Sequence, residues 1–368
     1  MKRTNTAKWI ESRKMWRIDV QKDGVRRSFY SSTPGRNGQR EANRKADAWL
    51  DDGVDTPSMR MDEILDAYLE RVKATTSTGQ YRKETYHVEK FVRPIIGKKK
   101  AVDITDLDMQ KILDKAFRHP GQYGAVKELS RKSMQNIRTT LYGIAKIVRK
   151  SRIAYLNPDD WEIPKSARKK GKSILQPESL AVLFSTDSTI VRGKPAEEIY
   201  IHAYRFEVLT GLRPGELMGL QIADVQGDRV LIRRSINDSG EITRGKNDNA
   251  IRAVALSDLA RHELALQLQE PPGNGSVFGI TSQVRYRRHW QRYCAANGIP
   301  YITPYELRHT FVSVVKNLPE GEIKSLVGHS KSMDTFGIYS HAIDGEEQQV
   351  AIRVNSLFVE LLEKYRKK

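Results

Sequence analysis

A single cysteine, Cys294, is present in 368 residues, which excludes an intramolecular disulfide and a cysteine-built metal cluster and makes a reducing cytoplasm the simple expectation. No apolar run is long enough to cross a bilayer. Met1-Lys2-Arg3 begins like a secretory signal, but Thr4-Asn5-Thr6-Ala7-Lys8 follows with no apolar stretch behind it. Amphipathic stretches with a continuous apolar face flanked by lysines are also missing, so no membrane partner is expected. Phosphate-cradling loops of the GxxxxGK type are absent, and the glycines from Gly273 to Gly279 have the wrong spacing for a dinucleotide site and read as a loop. There is no HExxH zinc pattern, although scattered carboxylates leave a two-metal nuclease open at this level. Acidic residues are in short supply: 45 Asp and Glu stand against 63 Lys and Arg, a formal charge of +18. That excess favours a polyanion, nucleic acid first, while a basic but otherwise ordinary soluble protein also fits the charge alone.

Hydrophobic residues make up 39% of the chain, enough for packed cores, and the length allows two or three domains. Residues 1 to 50 carry 13 Lys/Arg and 5 Asp/Glu. Lys8 to Ser12 and Trp16 to Val20 alternate apolar with polar, Lys22-Asp23-Gly24 carries the Asp-Gly hairpin signal, and Val25 to Ser31 runs back as a third strand. A helix from about Gln39 to Leu50 would pack Ala42, Ala46 and Leu50 on that sheet. A small basic sheet bearing Arg17, Arg26 and Arg27 suits groove or phosphate binding, and a solvated cap domain is the alternative.

Gly53-Val54-Asp55-Thr56-Pro57-Ser58 reads as a linker. A second segment then reads as helical to about residue 160, with Ile64, Tyr68 and Val72 on one helical face and Ile137, Leu141, Ile144 and Val148 on another. Lys132 is a candidate phosphate contact on its surface. Lys165 to Lys172, with Arg168, Lys169 and Lys170, forms a basic joint without apolar periodicity that would lie easily along a phosphate backbone. Beyond it the pattern is helical with a short β insert: a helix opening at Gln176-Pro177-Glu178, another from near Ala196 closed by Thr210-Gly211, and strands at Arg229 to Ser235 and Ile251 to Leu256. Glu346 to Tyr365 reads as a helix with Val350, Val354, Leu357 and Leu361 on one face.

The chemistry concentrates in Thr210-Gly211-Leu212-Arg213-Pro214-Gly215-Glu216, Pro304-Tyr305-Glu306-Leu307-Arg308-His309-Thr310 and Val327-Gly328-His329-Ser330, followed by Tyr339. Two arginines, a histidine and a tyrosine are what a phenol attack on a phosphodiester requires. The pentacoordinate transition state gathers negative charge on its non-bridging oxygens, where planar guanidinium forks bind two oxygens at once and keep their charge. A phenol with a pKa of about 10 needs a positive field and a proton acceptor to attack. The leaving deoxyribose oxygen needs a general acid. Any one of these residues alone has an ordinary structural explanation; the ordered set is the signal.

Those boxes resemble the tyrosine recombinases, and within them the integrases of phages and conjugative transposons. The resemblance implies that Arg213 and Arg308 clamp the scissile phosphate, that Glu216 holds the site, that His329 binds the phosphate, and that Tyr339 is the nucleophile. Thr243-Arg244-Gly245-Lys246-Asn247 resembles the β-hairpin lysine box, making Lys246 the general acid. One position departs: three residues before Arg308 the family usually has histidine, and here stands Tyr305, which is expected to support the site through its hydroxyl.

The implied architecture is multidomain and mainly α with small β elements. Residues 1–52 would be a three-stranded, arm-type DNA-binding domain, 58–165 a helical core-binding domain, and 173–368 a catalytic domain of the recombinase fold whose tail helix docks on a neighbouring protomer or on its own chain. The implied partners are double-stranded DNA, at crossover and flanking arm sites, and three further copies in a tetramer. The attachment sites, a directionality factor and a DNA-bending protein are not specified by the sequence. Since a phosphotyrosine bond conserves the energy of the bond it replaces, neither ATP nor metal is implied. Two other readings stay open: a DNA-binding regulator on the same scaffold, and a resolvase or type IB topoisomerase-like enzyme.

Overall fold

The computed structural model describes residues 3–22, 25–51, 59–120, 125–169, 171–243, 251–328 and 345–366. The chain divides into two compact units, Met1–Lys170 and Gly171–Lys368.

In the first unit, β1 (Lys8–Ile10), β2 (Met15–Lys22) and β3 (Val25–Ser31) form an antiparallel sheet in that order. Register pairs Trp9 with Trp16 and Ile18 with Phe29. Strand alternation turns Ile18 and Val20 to one face, where α1 (Gly35–Asp51) buries Ala42, Ala46, Trp49 and Leu50 against them. This helix begins before the expected Gln39, because its first turn is Gly-Arg-Asn-Gly and gives no apolar signal.

The second core of this unit is built from α2 (Met61–Thr75), α3 (Thr78–His87), α4 (Arg93–Ile96), α5 (Asp106–Phe117) and α6 (Arg131–Lys150). Ile64, Tyr68, Val72, Ile137, Leu141, Ile144 and Val148 are all buried in it. A buried polar chain ties three helices together: the Tyr68 hydroxyl donates to Glu84 at 2.9 Å and Thr140 to the same oxygen at 2.6 Å. The segment is not wholly helical, since β4 (Arg118–Pro120) and β5 (Val126–Glu128) pair as a hairpin, and the last α-helix stops at Lys150, with a single 3-10 turn at Pro158–Asp160 beyond it. The basic joint also needs correction. Ala167 is buried in this core and the Arg131 N–H donates to the Arg168 carbonyl at 3.0 Å, so its first half belongs to the bundle.

The second unit contains α7 (Pro177–Ser185), the hairpin β6 (Ser188–Val191) and β7 (Lys194–Glu197), α8 (Ile201–Thr210) and α9 (Pro214–Gly219). The helix expected from Ala196 therefore starts at Ile201. Arg192 and Gly193, both at positive φ, make the tight turn that folds the preceding residues into a hairpin. Next come β8 (Val225–Gln226), β9 (Arg229–Ile232), β10 (Ser235–Ile236), β11 (Ile242–Thr243) and β12 (Arg252–Ala255). The order β12-β9-β8 makes one sheet and β10-β11 another, so the single strand expected over Arg229 to Ser235 is divided between two sheets.

The unit closes with α10 (Asp258–Gln269), α11 (Gln283–Ala296), α12 (Pro304–Val314), α13 (Glu320–Val327) and α14 (Glu346–Arg366). The tail helix α14 lies on its own chain: Phe358 stacks on Phe311 with centroids 6.3 Å apart, and Asn355 accepts from the Leu259 N–H at 3.0 Å. Its buried face is Val350, Val354 and Phe358, with Leu357 and Leu361 only partly covered. The fold is thus mainly helical with small sheets, as the sequence implied. Among the described residues no helix is long and apolar enough to cross a membrane.

Candidate active site

Three arginines from three separate elements end on successive carbonyls at the C-terminus of α13. Arg252 Nε donates to Leu326 O at 3.3 Å, Arg308 Nη2 to Val327 O at 2.7 Å, and Arg213 Nη2 to Gly328 O at 3.3 Å. A helix C-terminus exposes unpaired carbonyls and the negative end of its dipole, so it gathers cations. The cap residue Gly328 has φ +63°, and a Cβ there would lie 2.8 Å from Arg252 Nη1, so a side chain would strain the backbone and push Arg252 aside. This convergence brings Arg213 and Arg308, far apart in sequence, to one place immediately before His329.

Each arginine is aimed by local structure. Pro214 starts α9 and Glu216 accepts the Arg213 N–H at 3.1 Å, which closes the first turn and fixes the backbone under Arg213. Glu216 Oε1 also pairs with Arg213 Nη1 at 2.6 Å. Arg308 is carried on α12, whose start is fixed by Pro304 and by Glu306 accepting the Thr303 N–H at 2.7 Å. Its Nη1 donates to Gly211 O at 2.8 Å. Gly211 closes α8 at φ +65°, where a Cβ would meet the Phe311 ring at 2.4 Å.

The charges are unequally paired. Arg308 is 2% exposed and, among the described residues, has no carboxylate in ion-pair contact. Burial and the neighbouring Arg213 bring its pKa down to about 10, so it stays charged at neutral pH as a guanidinium seeking an anion. Glu207 lies fully buried nearby and accepts from the Tyr286 hydroxyl at 2.8 Å. Burial raises its carboxyl well above the usual range, against the opposing pull of the Tyr286 hydroxyl and the Arg308 charge.

Arg252 is a site residue that the sequence reading missed. It pairs with Glu216 Oε2 at 3.0 Å, so one buried carboxylate serves two arginines. Burial alone would raise the Glu216 carboxyl, but the bonds from Arg252 and Arg213 bring it below the ordinary value. Glu216→Ala should therefore destabilise the second unit by about 3 kcal/mol, because two guanidiniums lose their counter-charge. The loss should be full above the ordinary glutamate pKa and vanish as pH falls through the lowered folded value. Denaturant midpoints of both proteins across pH check this, and equal stabilities at neutral pH would contradict it.

Tyr305 lies on α12 with 43% of its surface exposed, on the same helix as Arg308. Lys246, His329 and Tyr339 lie outside the described residues. Of the other sequence candidates, Arg26, Arg27, Lys132, Arg168 and Lys169 are exposed, and Lys170 is outside the described set. Arg17 is half-buried and pairs with Asp19 at 2.9 Å while lying 5.9 Å from the Tyr30 ring centroid, so its head is held in place on the sheet.

Residues 175–346 match the model of the phage integrase family. The ICEBs1 integrase of Bacillus subtilis is 22% identical over 335 residues, 82% of this chain and 84% of that protein. A XerC-like tyrosine recombinase of Caldanaerobacter subterraneus is 21% identical over 386 residues, 91% of this chain and 93% of its own. In three dimensions the Tn1549 transposon integrase, solved with circular intermediate DNA, superposes with TM-score 0.60 at 16% identity over 79% of this chain and 98% of that one. A lambda integrase tetramer bound to a Holliday junction gives 0.53 at 15% identity, over 92% of this chain and 98% of that one. At such identities the structural likeness shows the shared fold.

Proposed function

We propose that this chain is a tyrosine recombinase of the integrase type, a reading supported by its match to the phage integrase family and by its relatives, and that it recombines specific DNA sites through a covalent 3′-phosphotyrosine, integrating and excising a phage or other mobile element. The observation that carries the mechanism is the pair of guanidiniums, one buried and, among the described residues, without a carboxylate in ion-pair contact, meeting at the end of α13. Arg213 and Arg308 bind the non-bridging oxygens of the scissile phosphate and stabilise the charge that grows there. Tyr339 Oη gives up its proton to solvent as it attacks phosphorus, the bond to the 5′ oxygen breaks, and Lys246 protonates that departing oxygen to give the 5′ hydroxyl. His329 binds the same phosphate, and Glu216 holds Arg213 in its pose. Attack by a 5′ hydroxyl from the partner duplex reverses the step and releases the tyrosine, so each bond broken is one remade.

In this reading residues 1–52 contact flanking arm sites, 58–165 bind the core site, 173–368 carry out the chemistry, and four copies act on two duplexes. The net charge of +18 supports a polyanionic partner. A directionality factor and a DNA-bending protein fit such an assembly. A nicked duplex that loses its 5′ fragment on cleavage tests the chemistry. Incubated with the protein and excess EDTA, it should yield a covalent protein–DNA band joined at the 3′ end. Cleavage that stops with EDTA and leaves free ends would replace this mechanism by metal-dependent hydrolysis.

A further inference from the structure

Three hydrogen bonds lay the start of the second unit along α12. Lys172 Nζ donates to His309 Nε2 at 2.7 Å, the Ser173 N–H to Glu306 Oε1 at 3.0 Å, and the Leu175 N–H to Thr310 Oγ1 at 3.0 Å. The same Lys172 ammonium stands 5.6 Å from the Tyr305 ring centroid, and the His309 ring meets that tyrosine edge-on at 5.4 Å. A lysine, a histidine and a tyrosine thus form one cluster a single helical turn from Arg308, at the position where the resembling family places histidine. The cluster belongs to the exposed side of α12: Lys172 and Tyr305 are exposed while Arg308 is buried.

The chemistry of the cluster follows from its contacts. A phenol is neutral and a modest donor compared with an imidazolium. A cation over its ring is attracted to the π density, and that withdrawal strengthens the O–H as a donor to an anion. Lysine alone is a flexible point charge on a long stem, so holding it there needs an acceptor. His309 supplies one: burial first, then Lys172 itself, move its pKa below the ordinary histidine value, keeping Nε2 available as an acceptor.

Resting on the recombinase reading above, we propose that Lys172 is a positioning residue of the active site, anchored by His309 so that its charge on the Tyr305 ring lets the phenol donate to the phosphate that Arg308 binds. The three groups together do what the missing histidine would do alone.

Single-turnover cleavage of the nicked duplex at saturating protein is the test, with DNA affinity measured separately. Lys172→Met should cleave about tenfold or more slowly, and Lys172→Arg, which keeps the charge, should recover most of the rate. Tyr305→Phe should be slowed similarly, and the Lys172→Met/Tyr305→Phe double variant should be no slower than the worse single variant, since both act through one hydroxyl. Affinity for DNA should change by less than about threefold for Lys172→Met, because other phosphate contacts set it. A parental cleavage rate for Lys172→Met at saturation would overturn the proposal, as would losses that multiply in the double variant and so mark Lys172 as an independent DNA contact. Absence of the covalent product from the parental protein is a different failure, and it would overturn the recombinase reading itself.

Discussion

Tyr339→Phe is expected to bind its DNA site with parental affinity and to form no covalent complex at all. Removing one oxygen leaves every phosphate contact in place, and those contacts set the salt-dependent affinity. What disappears is the only atom that attacks phosphorus, and water has no positioned base to replace it, so cleavage should drop below detection rather than by a modest factor. Gel-shift titration beside denaturing gels of the nicked duplex separates the two quantities. A residual adduct at more than a trace would mean that another phenol does the work. Tyr305 is the rival to consider, because it is exposed and stands on the helix that carries Arg308.

Arg308→Ala should reduce single-turnover cleavage by about a thousandfold, equivalent to roughly 4 kcal/mol of transition-state stabilisation. Arg308→Lys should recover little of it. The guanidinium spans two carbonyls, Gly211 O at 2.8 Å and Val327 O at 2.7 Å, and its planar fork holds the charge in register with Arg213. An ammonium is a point charge without that geometry. Stability should not follow activity: a buried guanidinium with no carboxylate in ion-pair contact among the described residues is costly to the folded state, so the melting temperature of Arg308→Ala should fall far less than its rate. A rate within tenfold of the parent would show that the phosphate is held elsewhere.

Much of this was legible in the chain before any coordinates. The alternation from Trp16 to Val20 and the Asp-Gly turn specify the small sheet, because a period of two with a turn former between runs has few other solutions. The stripes of α2 and α6 are core for the reason they read as core. Arg213, Glu216 and Arg308 were visible because the boxes that carry them stand in the order and at the intervals of the recombinase motifs they resemble. What was missed is tertiary. Arg252 opens a strand and looks like any solvent-facing arginine until it reaches Glu216 from 36 residues away. Lys172 sits in a run of basic residues that reads as a solvated joint, and its bond to His309 spans 137 residues. The hairpin from Ser188 to Glu197 was hidden because Pro195 and charged residues dilute its alternation. Only its turn, Arg192-Gly193, carries the signal.

The central claim is that Arg213 and Arg308 hold one phosphorus for attack by the phenol of residue 339. Proteolysis of the covalent complex, followed by mass spectrometry of the DNA-linked peptide, tests it most directly. The account predicts a single modified peptide carrying a 3′-phosphonucleotide on Tyr339. Modification of Tyr305 or of any other residue, or a linkage to the 5′ end, would contradict it.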